Sequence, residues 1–268
     1  MSAPILLIGA GRMGAALARG WIEDGRGPDI TAIEPRPEAG FARALRKAGG
    51  RLNPKAASIG TPQAVVLAVK PQMLEDVARD AARFVGKPVF ISIAAGIALK
   101  KLGGWLGERA AIVRAMPNLP AAIGQGATVA AANTRVTRPQ KALAGALLAA
   151  AGALEWLNDE TPIDAVTAVS GSGPAYVFLL VEALAAAGVG AGLKPDLAMR
   201  LAHSTVAGAG GLLAAWPDRP AETLRRDVTS PGGTTEAALK VLMGTGGMTP
   251  LLAKAVKAAV KRAKALGA

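Results

Sequence analysis

The chain contains no cysteine. That excludes a disulfide framework and a thiolate metal site, and nothing in the composition requires an oxidising compartment. Aromatic residues make up 3% of the 268 residues, with one tyrosine, Tyr176, and one histidine, His203. Catalysis by an imidazole base therefore has a single candidate. His203 lies in a helical pattern among Ala, Ser and Thr and reads as a bystander. Tyr176 reads as a ring that packs and bonds its hydroxyl locally. No metal cluster and no nucleophilic triad is visible, so no metal is expected. The N-terminus has no basic region followed by a long apolar segment, so no signal peptide is expected. The longest uncharged stretches, such as residues 165–181, are interrupted by Gly, Ser and Pro, and none reads as a membrane span. The expectation is a cytoplasmic protein with no membrane partner.

Negative charge is also scarce: 31 Lys and Arg face 19 Asp and Glu, for a formal net charge of +12. Such an excess suits either a nucleic-acid surface or acidic small molecules. The basic residues are not interleaved with aromatics and form no nucleic-acid motif, so no nucleic-acid partner is expected. Lys254, Lys257, Lys261 and Lys264 follow helical spacing and read as the solvated face of an amphipathic helix.

What is abundant is small and aliphatic side chains in alternating segments. Residues 4–8 form a strand-like run, and a helical pattern from about Arg12 to Glu23 stops at Gly25 and Gly27. Residues 30–33 read as a second strand, followed by a helix near 37–48. Residues 64–69, 89–93 and 111–115 are continuously apolar, as strands buried on both faces of a parallel sheet are. Residues 128–132 read as a further edge strand. Beyond Asn158-Asp159-Glu160-Thr161-Pro162 the strand-like runs cease, and helical patterns cover 174–187, 194–215 and 248–266. The pattern predicts an α/β architecture: a Rossmann-type doubly wound sheet over residues 1–160, then an all-helical domain over 161–268. The helical half has too little chain to bury Leu179, Leu180, Val181, Leu184, Leu212 and Leu213 alone, which points to association between subunits.

The first strand runs into Gly9-Ala10-Gly11-Arg12-Met13-Gly14, a Gly-x-Gly-x-x-Gly turn that opens a helix. This is the fingerprint of a dinucleotide-binding unit. Gly9 permits the sharp turn, Gly11 lets backbone approach a pyrophosphate, and Gly14 lets the helix sit close to the sheet. The N–H groups and dipole at the helix start favour phosphate. Twenty positions after Gly14, Glu34 ends the second strand, where an acidic residue bonds the adenosine ribose of NAD, whereas a nearby arginine suits the 2′-phosphate of NADP. Glu34-Pro35-Arg36 carries both signals.

Four further segments narrow the chemistry. They are Ala68-Val69-Lys70-Pro71, Arg114-Ala115-Met116-Pro117-Asn118-Leu119-Pro120, Ser170-Gly171-Ser172-Gly173-Pro174-Ala175-Tyr176 and Val228-Thr229-Ser230-Pro231-Gly232-Gly233-Thr234-Thr235. With these in order from Ile5 to the last helix, the chain resembles the pyrroline-5-carboxylate reductase family, which makes proline in the last step of its biosynthesis.

The resemblance implies an oxidoreductase that reduces 1-pyrroline-5-carboxylate to L-proline by hydride transfer from NADPH, with NADH as the other donor. It implies that Ala68, Val69, Lys70, Ala95 and Gly96 serve the cofactor, beside Gly9 to Gly14, Glu34 and Arg36 of the fingerprint and the adjoining Pro71; Asn118 is a further candidate, to orient the carboxamide or the substrate. It assigns Ser230, Gly232, Gly233, Thr234, Thr235 and Glu160 to the substrate, with the Thr235 hydroxyl near the ring nitrogen as the catalytic group. The loop itself agrees, because backbone donors in a glycine-rich turn before a helix hold a carboxylate without an arginine. The resemblance further implies a homodimer of interlocked helical domains that can build a decamer. Glu34 departs from a strictly NADP-dependent pattern. Two other readings stand beside this one: a β-hydroxyacid dehydrogenase, which would use a helix lysine as acid/base, and a dinucleotide- or nucleic-acid-binding protein without catalysis.

Overall fold

The computed structural model describes residues 4–267. In chain order it contains β1 (Ile5–Ile8), α1 (Arg12–Glu23), β2 (Ile30–Ile33), α2 (Ala39–Lys47), β3 (Arg51–Leu52), β4 (Ala64–Leu67), α3 (Leu74–Ala81), β5 (Val89–Ser92) and α4 (Leu99–Leu106). Then come β6 (Ala111–Met116), β7 (Gly126–Ala132), α5 (Arg138–Ala149), β8 (Gly152–Trp156) and α6 (Ile163–Val166), the last continued by a π-helical turn, Thr167–Gly171. Only helices follow among the described residues: α7 (Gly173–Gly190), α8 (Pro195–Ala215), α9 (Ala221–Asp227), α10 (Thr234–Leu242) and α11 (Met248–Gly267).

One sheet carries all eight strands in the order β3-β2-β1-β4-β5-β6-β7-β8. The first six are parallel, in the spatial order of a doubly wound dinucleotide fold. β7 returns antiparallel to β6, and β8 lies parallel to β7. The continuous apolar runs follow from a sheet covered on both faces. Ile5, Leu7, Val66, Ile91 and Val113 point into one core layer with Leu17, Trp21 and Leu45. Leu6, Val65, Leu67, Phe90 and Ile112 point into the other with Leu74 and Leu102. Alternate residues of a strand face opposite sides, so every position is apolar. The indole N–H of Trp21 donates to the Leu147 carbonyl at 2.7 Å, which satisfies the one polar atom of the largest buried side chain. Helix α5 starts with a capping box, Thr137 and Gln140 each accepting from the other's backbone N–H.

The expected edge strand at 128–132 is β7, and it is not an edge, because β8 pairs with it and takes the outer place. β8 escapes pattern reading because its residues alternate between half-buried and exposed, without an apolar run.

The chain divides into two compact units. One runs to Ser172 and takes in the chain from Ala259 on; the other is Gly173–Ala258. The division lies beyond residue 160, where the strand pattern stops, because α6 and its π-turn belong with the sheet: Ile163 and Ala168 are fully buried there. The stretch Ile163–Gly190 is helical, and by length and composition it is apolar enough to cross a membrane. This corrects the reading that Gly, Ser and Pro interrupt it. The π-turn absorbs Ser170-Gly171, and Pro174 falls in the first turn of α7, where its missing N–H costs no helical bond. In the second unit, α7 and α8 pack against each other, with Ala198 against Gly188.

Candidate functional site

The order β2-β1-β4 places the chain's reversal of direction between β1 and β4, the switch point at which doubly wound sheets bind ligands. The glycine turn stands there. Gly9 has φ +93, and a Cβ on it would lie 2.7 Å from the Ala68 carbonyl oxygen. A Cβ on Gly14 would lie 2.2 Å from the Gly9 oxygen and 3.1 Å from the Ala68 Cβ. Both glycines are demanded by the protein's own packing. Gly11 is different: it has φ −64, which any residue adopts, and a Cβ would meet nothing within 4 Å. Open space thus lies over Gly11 beside the first N–H groups of α1, which has no side-chain cap and no acid in its first turn. Those uncapped donors and the dipole suit a pyrophosphate. Arg12 is exposed at the start of the helix and Met13 is half-buried behind it.

At the end of β2, Glu34 is held from three directions. Its Oε2 accepts from the Ala10 N–H at 2.9 Å and its Oε1 from the Arg36 N–H at 3.0 Å. Its backbone N–H donates to Asn53 Oδ1 at 2.8 Å, and its carbonyl accepts from Asn53 Nδ2 at 2.9 Å. Asn53 follows β3 with φ +50, the one left-handed non-glycine among the described residues. This bracket went unseen in the sequence, where the only signal is an Asn just after a two-residue strand. The Arg36 side chain is exposed.

The ends of β4 and β5 complete this edge. Val69 Cγ1 would lie 2.9 Å from a Cβ on Gly9, so the segment Ala68-Val69 packs directly on the glycine turn. Lys70 is exposed and precedes a 3-10 turn that starts at Pro71. After β5, Ala95 is half-buried, and Gly96 is buried with φ +80, a conformation that favours glycine.

Two of the expected site residues are engaged with the protein itself. The Asn118 amide donates to the Ser170 carbonyl and hydroxyl, both at 3.2 Å, and its Oδ1 accepts from the Ala127 N–H at 2.8 Å. It straps the end of β6 to the π-turn. Glu160 accepts from the Leu99 N–H with both oxygens, at 2.9 and 3.1 Å, and from Arg114 Nη1 at 2.8 Å. Its carboxylate therefore caps α4 and pairs with a guanidinium that is only 6% exposed. Arg114 also reaches Asp164 at 3.4 Å. Arg114 was not among the sequence candidates, although a lone charge in an otherwise apolar strand marks it. Next to Glu160, bonds from the Thr161 hydroxyl and then its N–H hold the Asp159 carboxyl below its usual range.

In the second unit, Ser230–Thr235 forms a turn that feeds α10. Gly232 has φ +69, and the Gly233 N–H donates to the Ser230 carbonyl at 3.0 Å. The φ of Gly232 favours glycine, and a Cβ on Gly233 would lie 2.5 Å from Ser230 Oγ, so a side chain there would have to turn that hydroxyl aside. The Gly232 N–H donates to Glu236 Oε2 at 2.7 Å, while the N-cap, Gly233, supplies no side-chain cap. The N–H groups of Thr234 and Thr235 open the helix without intrahelical acceptors. Thr234 is exposed and Thr235 half-buried.

A sheet in this order, a glycine turn at its switch point and a helical second unit define a dinucleotide-binding oxidoreductase architecture. A family profile described as "NADP oxidoreductase coenzyme F420-dependent" matches residues 4–96, and one described as "Pyrroline-5-carboxylate reductase dimerisation" matches residues 160–266. The chain is 43% identical over 270 residues to the pyrroline-5-carboxylate reductase of Pseudomonas aeruginosa, covering 99% of this chain and 98% of that one. The structure is similar to that of a pyrroline-5-carboxylate reductase from Coxiella burnetii, with a TM-score of 0.90 and 36% identity over the whole of both chains. It is also similar to the pyrroline carboxylate reductase of Plasmodium falciparum solved with NADP bound, with a TM-score of 0.82 and 27% identity over 99% of this chain and 98% of that one. The chain belongs to the pyrroline-5-carboxylate reductase family.

Proposed function

We propose that this protein reduces 1-pyrroline-5-carboxylate to L-proline with a hydride from NADPH or NADH, as the last step of proline biosynthesis. The observation that carries the reading is the open space over Gly11 beside uncapped helix donors at the switch point, in a chain similar from end to end to reductases of that name. When bound, the nicotinamide supplies the hydride. The chain's own residues supply placement. The turn Gly9–Gly14 holds the pyrophosphate, Glu34 and Arg36 the adenosine end, and Ala68–Pro71, Ala95 and Gly96 the nicotinamide end. Asn118 supports that wall through its strap to Ser170.

The substrate carboxylate is held by Ser230, Gly232, Gly233 and Thr234, whose turn offers backbone donors and a hydroxyl. Taking the substrate there releases the Gly232 N–H from Glu236. Thr235 donates to or relays a proton at the ring nitrogen. Glu160 serves the substrate side with a carboxylate already fixed by Leu99 and Arg114. A protonated cyclic imine is electrophilic by itself, so positioning and exclusion of water account for most of the rate. The working form is a cytoplasmic homodimer that builds to a decamer, with no nucleic-acid or membrane partner. Its apolar helices α7 and α8, with Leu179, Leu184 and Leu213 exposed in the single chain, supply the dimer surface.

The test is NAD(P)H oxidation in the presence of 1-pyrroline-5-carboxylate, with proline measured directly. Proline formed in proportion to nucleotide consumed supports the reading. A protein that binds nucleotide but forms no proline contradicts it.

A further inference from the structure

We infer that Glu34 makes this reductase select NADH over NADPH, an inference that rests on the dinucleotide site proposed above and names which of its two ligands that site prefers. The carboxylate belongs to the turn itself. Oε2 bonds the N–H of Ala10, in the middle of Gly9-Ala10-Gly11, and Oε1 bonds the N–H of Arg36. An anion is thereby fixed where β2 ends, on the same edge of the sheet as the pyrophosphate turn.

Fixation is what separates Glu34 from an ordinary surface carboxylate. Asn53 clamps the Glu34 backbone on both sides, N–H and carbonyl, from a left-handed conformation that Asn adopts more readily than most residues. To swing away from an incoming phosphate, Glu34 would have to give up two backbone N–H bonds, of which the one from Ala10 is part-buried. A carboxylate has about four acceptor sites, and two are used here, so the remaining two are available to the ribose hydroxyls of NADH. A 2′-phosphate brings acceptors and negative charge to the same place, where it meets repulsion and finds no donor on Glu34.

Arg36 is the opposing signal, two residues further on. Its backbone is tied to Glu34, but its guanidinium is exposed and makes no ion pair among the described residues. An exposed, unanchored cation is screened by salt and must be ordered before it acts, whereas the carboxylate is already in place. Arg36 therefore sustains residual NADPH binding without reversing the preference.

The test is equilibrium titration of the full-length protein with NADH and NADPH, by calorimetry or nucleotide fluorescence, without substrate. NADH should bind about tenfold more tightly than NADPH or better. Glu34→Gln keeps an acceptor for the Ala10 N–H and removes the charge; Glu34→Ser removes both. Thermal melting establishes which of the two is folded, and the NADH preference should shrink about fivefold or more in the folded variant. Arg36→Ala should weaken NADPH more than NADH. Tighter or equal binding of NADPH by the parent protein would overturn the inference while leaving the proposed reaction standing. An unchanged ratio in folded Glu34 variants would overturn it as well. Failure to bind either nucleotide would remove both the inference and the reading it rests on.

Discussion

Arg114 Nη1 stands 2.8 Å from Glu160 Oε2, joining the middle of the sheet to the segment that follows its last strand. The guanidinium is buried on β6, and the carboxylate that meets it also caps the first N–H of α4. One ion pair thus fixes a strand, a helix start and the approach to α6. Asp164, at 3.4 Å, is the weaker second partner. Removing one member of such a pair leaves a buried charge under-compensated, so Glu160→Ala should cost about 3 kcal/mol of stability or more. Urea unfolding checks this, and an unchanged midpoint would mean that the pair is not what holds these elements.

The three glycines of the turn should respond differently to the same added methyl. Gly9→Ala and Gly14→Ala place a Cβ against backbone oxygen at 2.7 and 2.2 Å, and Gly9 also has positive φ. Each should destabilise the fold by about 1–3 kcal/mol or more. Gly11→Ala meets only open space at an ordinary φ, so it should melt like the parent protein. Its loss should appear in nucleotide binding alone. Thermal melts paired with binding titrations separate the two kinds of glycine.

Thr235 sits in the first turn of α10, half-buried, and its hydroxyl is the one proposed to act at the ring nitrogen. Thr235→Ala should lower kcat by more than about tenfold, the loss of at least about 1.4 kcal/mol in the transition state. Melting should be little changed, because Gly233 rather than Thr235 is the N-cap. Full turnover in the variant would remove Thr235 from the chemistry.

The second unit leaves Leu179, Leu180 and Leu184 of α7 and Leu212 and Leu213 of α8 at least 38% exposed in the single chain. Light scattering on the eluting protein should report a dimer or a multiple of it. Replacing Leu180 with Asp should shift the protein toward monomer or aggregate, since a charge within a subunit interface is left without a partner.

The sheet was legible because its strands are buried on both faces and so read as unbroken apolar runs, and because Gly9-x-Gly11-x-x-Gly14 fixes the first turn. β3 has two residues and β8 alternates, so neither leaves a run to find. The switch at residue 160 marks the end of strands but not of packing, because α6 and the π-turn still bury Ile163 and Ala168 with the sheet. The ties of Arg114 to Glu160 and Asp164 span 46 and 50 positions, and that of Asn118 to Ser170 spans 52. Such pairings arise from topology, and no local pattern announces them. Glu34 was visible as a strand-end acid, but its clamp by Asn53 lies 19 positions away and is signalled only by an Asn, a residue type that favours the left-handed region, just after a two-residue strand.

The most direct test follows one atom. The protein is incubated with 1-pyrroline-5-carboxylate and NADH or NADPH carrying deuterium at the transferable C4 position, and the proline formed is analysed by mass spectrometry. The account predicts proline with one deuterium at the former imine carbon. Unlabelled proline, or nucleotide oxidation without any proline, would contradict it.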